Sequence, residues 1–371
     1  MLGSFQRLNR HGLPEIRYGA IVAIGMACRK ACSNTTLLSD SWTMKKFLPI
    51  LGKLFVLFIC LLACWLLYNK IKSYSLDEII GSIRQISSIQ LLYAILLVAL
   101  NYIILIGYDW LAIRAIHRKL PLSRVSLVSF TGCAVSYNLG ALLGGTTVRY
   151  RLYSAWGFHA IDIVRLVLML AVTFWIGALG LAGGVLCFAD VSVPPELGID
   201  ASHIRPVGAG LLVLCVLYLL LCWWAKGRAV RLFKKEFSLP TLPLACAQTF
   251  VACADLIVAA YCLYVLLPPD SAISFASFLP NYLLAQVAVV LTHVPGGVGV
   301  LEVILMHIIH GVQPTLLFGA ILVFRVLYYL IPLGISAVML FFYEFRLRAR
   351  TPEQIKAEAE ATILPGKTML F

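Results

Sequence analysis

The sequence predicts an all-α, polytopic membrane protein. Of its 371 residues, 61% are apolar and only 13% are charged, whereas soluble domains usually have about 25% charged residues. Several apolar segments reach the roughly 20 residues that an α-helix needs to cross a bilayer. Clusters of glycine and proline interrupt two further apolar segments. Together these observations predict about six full spans plus two re-entrant helical hairpins, arranged as an inverted repeat.

The start of the chain differs from the rest. Residues 1–43 are mixed in composition, with a short apolar patch and no clean signal-cleavage site. Met44 and two lysines then precede an apolar segment, as at the start of many membrane proteins. We therefore expect residues 1–43 to be a disordered N-terminal extension or the result of a wrongly chosen start codon. The membrane domain is expected at 44–345 and a cytoplasmic tail at 346–371.

Six apolar segments are candidate spans. In chain order they cover residues 47–68, 91–113, 161–188, 207–224, 243–267 and 314–342. Their orientation follows from the charges of the segments between them, because basic loops stay in the cytoplasm. Residues 114–124 and 226–236 and the tail are basic, whereas residues 189–205 are acidic. This pattern predicts a multi-pass protein of the bacterial inner (plasma) membrane with a cytoplasmic C-terminus.

The two interrupted segments, 125–145 and 275–310, are each predicted to begin and end on the same side of the membrane. The predicted turns consist of Asn138, Gly144 and Gly145 in the first segment and of Pro295, Gly296, Gly297 and Gly299 in the second. Non-helical backbone within a membrane is tolerated only where it is buried in protein or lines a wet cavity. Two tilted full spans are the alternative for the second segment.

The two halves of the membrane domain share a layout. In residues 89–188 and again in residues 243–343, a span is followed by a glycine break and then by a span that contains an arginine. Aligning Arg165 with Arg325 brings these segments into register. The hairpins open to opposite sides, so an inverted repeat is predicted, which in transporters places the binding site near the midplane. Chance similarity between apolar segments is the alternative.

Arginines near the breaks are candidate contacts for an anionic head group. Arg325 lies near the middle of its span, where an unpaired charge costs several kcal/mol. It is expected to form an ion pair with Glu302, to contact a head group, or to exchange one for the other. Arg149 and Arg151 follow the first break, and guanidinium suits phosphate because it donates two parallel hydrogen bonds. An ordinary cytoplasmic basic anchor is the alternative for these two.

Three more polar residues are functional candidates with a structural alternative each. His293, beside the second break, could titrate near neutral pH, although a lone histidine in a turn is more often a structural donor. Asp109 is expected to hold one of the arginines of its half. Asp255 lies deeper in its span, and it is either a proton-coupling residue or a buried hydrogen-bond partner.

Several classes of function are disfavoured. The eleven cysteines form no CxxC pair and no Cys/His ligand spacing, so neither a disulfide framework nor a metal site is expected. No GxSxG, HExxH, P-loop or dinucleotide-binding motif is present, so we expect no enzyme activity and no cofactor. The net charge of +13 resides in short loops between apolar segments. A nucleic-acid partner is therefore not expected.

Three stretches resemble a known family. They are VSFTGCAVSYNLGALLGGTTVRYRLYSAWG, THVPGGVGVLEVI and FRVLYYLIPL. They resemble the transmembrane region of lysylphosphatidylglycerol synthases and are most similar to the stand-alone YbhN-type inner-membrane proteins. The resemblance implies a lipid flippase with an inverted-repeat core, and it places head-group roles on Arg149, Arg151, Glu302 and Arg325. Only a short polar segment follows Arg350, so synthase activity is not implied.

The function that the sequence favours is translocation or binding of an anionic phospholipid. A proton-coupled transporter of a small anion, using Asp255, His293 or Glu302, is one alternative. A membrane partner of a lipid-synthesis enzyme, without transport activity of its own, is another.

Overall fold

The structure is a computed structural model that describes residues 76–140, 144–188, 201–225, 229–232, 235–271 and 273–348. The expected N-terminal extension, the candidate span at 47–68 and most of the tail lie outside the described residues. Within the described ranges the regular secondary structure is helical apart from one short pair of strands.

Six helices of the first half lie within the described residues. They are α1 (Leu76–Arg84), α2 (Ser88–Ala115), α3 (Leu122–Leu139), α4 (Thr146–Ala155), α5 (Ala160–Phe188) and α6 (Ala201–Ala225). The start of α2 is a capping box. Ser87 accepts a hydrogen bond from the backbone N–H of Gln90, and the Gln90 side chain accepts one from the backbone N–H of Ser87. Two donors at the helix start are thereby satisfied.

The second half begins with a two-stranded antiparallel ribbon in the basic connection after α6. Its strands are β1 (Ala229–Leu232) and β2 (Lys235–Ser238), with Ala229 opposite Ser238. The elements that follow are α7 (Leu242–Val265), α8 (Phe275–Thr292), a 3₁₀ turn (Pro295–Gly297), α9 (Val300–Ile308), α10 (Pro314–Arg325), a π-helical turn (Val326–Leu330) and α11 (Ile331–Arg348).

Six segments of the described chain are long and apolar enough to cross a membrane. They are Ser88–Ala115, Ala160–Phe188, His203–Ala225, Leu242–Val265, Phe275–Thr292 and Pro314–Arg346. Five of them coincide with the spans predicted at 91–113, 161–188, 207–224, 243–267 and 314–342. The remaining one, α8, falls in the segment that the sequence assigns to the second hairpin. The fold is therefore that of a multi-pass helical membrane protein.

Small residues allow α5 to pack closely against both α6 and α7. A Cβ atom added to Gly177 would lie 2.1 Å from the Cβ of Ala252 in α7. A Cβ added to Gly183 would lie 2.8 Å from the backbone nitrogen of Leu212 in α6. Such contacts between backbones are a common way for helices to associate in lipid, where no hydrophobic force drives them together.

Buried aromatic side chains form the centre of the larger apolar core. Tyr102 of α2, Phe278 and Tyr282 of α8, Phe324 of α10 and Tyr328 of the π-helical turn all belong to it. Phe324 and Tyr328 stack with ring centroids 5.0 Å apart. This core therefore joins the first long helix of one half to the last helices of the other.

Candidate functional site

The second glycine break contains left-handed backbone conformations, which residues other than glycine rarely adopt. Helix α8 ends at Thr292, and the next residue, His293, is left-handed with φ 53°. Gly296, Gly297 and Gly299 have φ values of 66°, 58° and 83°, and glycine adopts this region without steric cost. A Cβ at Gly297 would in addition lie 2.5 Å from a methyl group of Val289. These glycines therefore allow the chain to turn tightly against α8.

Arg325 and Glu302 hold this break together. The Nε atom of Arg325 donates to Oε1 of Glu302, and Nη2 donates to Oε2 at 2.8 Å. The same guanidinium donates to the carbonyl oxygens of Gly296 and Gly297, at 2.6 and 2.9 Å. Glu302 also accepts a hydrogen bond from the backbone N–H of Gly299 at 2.8 Å. The ion pair, one of the alternatives that the sequence left open for Arg325, is thus present, and it satisfies backbone groups that the break leaves without helical partners.

The first break lies where α3 ends. Gly140 has a φ of 86°, and a Cβ at Gly145 would lie 2.7 Å from the Cβ of Ser136. Asn138, one residue before the end of α3, donates from Nδ2 to the carbonyl oxygens of Ala134 and Tyr329, at 2.8 and 3.0 Å. Asn138 therefore satisfies backbone groups, as its position at the break predicts, and one of these groups belongs to the other half.

The two breaks meet. A Cβ added to Gly296 would lie 3.6 Å from the carbonyl oxygen of Asn138 and 3.9 Å from that of Tyr137. Pro332, near the start of α11, has no backbone N–H to donate to the carbonyl four residues earlier, which belongs to Tyr328. The hydroxyl of Tyr102 donates to that carbonyl at 3.2 Å. The irregular backbone of the second half is thus stabilised by polar side chains of the first.

Arg149 is buried in a network of its own half. Its Nε and Nη2 atoms donate to the two carboxylate oxygens of Asp109 at 3.0 and 2.9 Å, and Nη2 also lies 3.4 Å from the sulfur of Cys133. The Tyr153 hydroxyl donates to the same carboxylate at 3.0 Å. Asp109 therefore holds Arg149, while Arg165 is exposed on α5. The sequence alignment places Arg165 opposite Arg325, but Arg165 has an exposed position, whereas the Arg325 side chain is 13% exposed and lies in an ion pair.

Arg151 differs from Arg149 in its exposure. Its Nε and Nη2 atoms each donate to an oxygen of Glu344 at 3.1 Å, and 66% of the Arg151 side chain is exposed. Glu344 lies near the end of α11, so this pair connects the short helix of the first half to the last helix of the second. It lies apart from the buried networks and is accessible from the surface.

The second break also reaches the surface of the protein. His293 is exposed, and its Nδ1 atom lies 2.9 Å from the carbonyl oxygen of Leu291. Leu291 and Val298 on the two sides of the break are exposed apolar residues, and so is Leu139 beside Asn138. Apolar side chains are therefore accessible beside both breaks, next to the polar turn that Arg325 holds.

A third polar network lies between α2 and α7 around Asp255. Its members Asn101, Tyr108 and Tyr328 were not singled out in the sequence. Asn101 and Tyr108 are seven residues apart on α2, which places them on one helix face. That spacing is a signal by which the sequence could have revealed them. No comparable sequence signal indicates Tyr328, because its position depends on the π-helical turn.

The comparisons agree with this class of multi-pass helical membrane protein. Over 298 residues the chain is 34% identical to the uncharacterized protein slr0712 of Synechocystis sp. (strain ATCC 27184 / PCC 6803 / Kazusa). This alignment covers 79% of this chain and 91% of slr0712. Over 324 residues the chain is 30% identical to the inner membrane protein YbhN of Escherichia coli (strain K12). This alignment covers 87% of this chain and 98% of YbhN. No family model matches the sequence. The chain belongs to the YbhN family of integral inner-membrane proteins.

Proposed function

We propose that this protein translocates an anionic phospholipid between the leaflets of the inner membrane, without enzyme activity. The observation that supports this most is the position of the Arg325–Glu302 pair. A guanidinium is held on an irregular turn, and exposed apolar side chains flank that turn at Leu291 and Val298. A lipid needs both features, an arginine for its phosphate and an apolar surface for its acyl chains.

We further propose that the two interrupted segments are re-entrant hairpins of an inverted repeat, as in the transmembrane region of lysylphosphatidylglycerol synthases. Helices α3 and α8 both have 18 residues. Each is followed by a glycine break and then by a short helix, of 10 residues in α4 and 9 in α9. This correspondence of length and order supports the repeat. In this arrangement the first hairpin opens to the cytoplasm, the second opens to the outside, and the C-terminus is cytoplasmic.

In the proposed mechanism, the phosphate of a lipid replaces a carboxylate as the partner of an arginine. The head group could then move from one arginine to the next. A phosphate offers a guanidinium the same pair of acceptor oxygens that Glu302 offers Arg325. In the proposed cycle Glu302 is the resting partner of Arg325, and Glu344 is the resting partner of Arg151 at the cytoplasmic entrance. Arg149 contributes a guanidinium behind the entrance, and His293 contributes a donor beside the second break. The partners proposed are therefore membrane lipids.

Purified protein in liposomes tests this function. We expect faster movement of a fluorescent phosphatidylglycerol than in protein-free liposomes, and loss of that gain in Arg325→Ala. Because Arg325→Ala leaves Glu302 without its partner, the double variant Glu302→Gln/Arg325→Gln provides a neutral pair that still forms hydrogen bonds. It should fold and remain inactive. Arg346→Ala removes an exposed arginine outside the site and is the matched control. Unchanged activity in the double variant would refute the role of Arg325.

The alternatives give different results in related assays. A transporter of a small anion would move labelled soluble anion into liposomes on a proton gradient and leave phosphatidylglycerol in place. A membrane partner of a lipid-synthesis enzyme would co-purify with such an enzyme and show neither activity.

A further inference from the structure

Asp255 is a carboxyl group in the interior of the membrane domain, held by neutral donors. It is 5% exposed and lies near the middle of α7. The Nδ2 atom of Asn101 donates to its Oδ1 at 2.9 Å, and the Tyr108 hydroxyl donates to its Oδ2 at 2.9 Å. Both donors come from α2. The carboxyl therefore lies at the contact between the first long helices of the two halves.

No basic group of the described chain pairs with this carboxyl. The titratable side chains near it are Tyr102, Tyr108, Cys133, Tyr137, Tyr282 and Tyr328, from α2, α3, α8 and the π-helical turn. None of them carries a positive charge in any protonation state. Arg149 contacts Cys133, but its guanidinium is bound to Asp109. Asp109, Glu302 and Asp162 each have an arginine as a salt-bridge partner, so Asp255 differs from these other buried acids.

A second buried polar group lies on the same face of α7. Gln248 precedes Asp255 by two helical turns and is 2% exposed. Neither its side-chain nitrogen nor its side-chain oxygen has a hydrogen-bond partner. A buried amide without partners requires an explanation, since leaving its polar atoms unsatisfied costs free energy. A chain of hydrogen-bonded water molecules that leads along α7 towards Asp255 would satisfy both polar atoms of Gln248.

The Asp255 network also extends to the two breaks. Asn101 accepts a hydrogen bond at 2.6 Å from the hydroxyl of Tyr328. Tyr328 belongs to the π-helical turn that directly follows Arg325. In the same turn, the Tyr329 carbonyl accepts the hydrogen bond from Asn138. Asp255 is thus connected to each glycine break through only three side chains, so a change in its charge can affect both breaks.

We propose that Asp255 is a proton-binding site whose occupancy drives the conformational cycle of the protein. A carboxylate oxygen binds a proton delivered through water, an O–H bond forms, and the group becomes neutral; release to the other side restores the charge. A lone carboxylate is costly in an apolar interior, so each charge state favours a different arrangement of its neutral donors. The coupling part of this inference rests on the proposed lipid translocation, and it assigns the proton gradient as the energy source.

Infrared spectroscopy tests the proton site without any transport assay. In wild-type protein we expect the C=O stretching band of a protonated, buried carboxyl group to disappear as the pH is raised. This band should be absent in Asp255→Asn and retained in Asp270→Asn, which changes an exposed loop residue. Tyr108→Phe keeps the aromatic ring and removes only the hydroxyl, so the band should remain at a changed frequency, because one donor is lost. A spectrum that does not differ between wild type and Asp255→Asn at any pH would overturn the proposal.

Liposomes with a pH gradient test the coupling. A gradient of one pH unit can support up to about a tenfold difference in lipid distribution per coupled proton. We expect the wild type and Asp270→Asn to redistribute fluorescent phosphatidylglycerol in response to the gradient, and Asp255→Asn to give no such asymmetry. Asymmetry that requires sodium and ignores the pH gradient would contradict proton coupling.

The two assays separate the failure of this inference from the failure of the proposed function. If no lipid moves in the wild type but the infrared band depends on Asp255, the proton site stands and the lipid function fails. If lipid moves in every variant with no response to pH and no band depends on Asp255, the lipid function stands and the proton site fails.

Discussion

At the scale of single residues, the structure distinguishes three paired arginines, Arg149, Arg151 and Arg325, by their burial. The Arg325 side chain is 13% exposed and the Arg149 side chain 8%, and each is bound to a carboxylate that is 2% exposed or less. Arg151 makes an equally regular pair with Glu344, yet it is 66% exposed. Removing one member of a buried pair leaves the other charge without compensation, whereas solvent compensates an exposed charge.

This difference predicts unequal effects on stability. Glu302→Ala leaves the Arg325 guanidinium without its carboxylate, so we expect a loss of about 3–5 kcal/mol. Glu344→Ala should cost less than about 1 kcal/mol, because its arginine remains in contact with solvent. The measurement is the free energy of unfolding in mixed micelles, determined by denaturant titration. Equal losses in the two variants would show that the second break does not depend on its ion pair.

At the scale of helices, glycine has two different roles in this chain. Gly296, Gly297 and Gly299 supply the backbone angles of a turn. Gly177 has ordinary helical angles and supplies space, since its missing Cβ allows α5 to approach Ala252 of α7. In the same helix, a Cβ at Gly184 would meet no atom within 4 Å. These two helical glycines cannot be distinguished by sequence pattern, because the difference lies in which neighbour faces them.

The close approach of α5 to α7 predicts that alanine substitutions at two glycines of α5 affect stability differently. Gly177→Ala introduces a methyl group that overlaps Ala252, so α5 and α7 must separate and the thermal stability in detergent should fall. Gly184→Ala should leave the stability unchanged or raise it slightly, because alanine is the better helix former by about 1 kcal/mol. Thermal unfolding followed by size-exclusion chromatography measures both variants. A loss in Gly184→Ala as large as that in Gly177→Ala would contradict the close packing.

At the scale of the whole molecule, the two halves contact each other through their irregular segments. Asn138 binds the carbonyl of Tyr329, Tyr102 binds that of Tyr328, and Gly296 lies against the end of α3. In a membrane, backbone groups that a break frees must be satisfied by protein, because lipid offers no hydrogen bonds. The first half therefore supplies partners that the irregular backbone of the second half lacks, and movement of one break relative to the other changes these contacts.

The proposed topology predicts which positions an impermeant thiol reagent reaches. In a variant without native cysteines, Asp270→Cys and Gln313→Cys should react from outside intact cells, and Lys119→Cys only after the membrane is opened. Val298→Cys, at the break, should stay protected from the cytoplasmic face, because a re-entrant turn ends within the bilayer. Labelling of Val298→Cys from the cytoplasm would show instead that α8 crosses the membrane completely.

The sequence was sufficient for the class of fold and for five of the helices long enough to span, and it included the Arg325–Glu302 pair among its alternatives. A long apolar segment has few alternatives to a helix in lipid, and two opposite charges within one apolar region gain strongly from pairing. The alignment of Arg165 with Arg325 was less informative, because exposure depends on which face of α5 meets protein. The partner of Arg149 was among the candidates, but only the fold selects Asp109.

What the sequence by itself determined is the set of elements, since apolar length and glycine breaks act locally along the chain. What only the tertiary structure decided is which elements face one another. The meeting of the two breaks, the exposure of Arg151 and Arg165, and the Asn101–Asp255–Tyr108 network all join residues far apart in the chain. These contacts depend on the packing of whole helices, and the pattern within a single helix does not encode its neighbour.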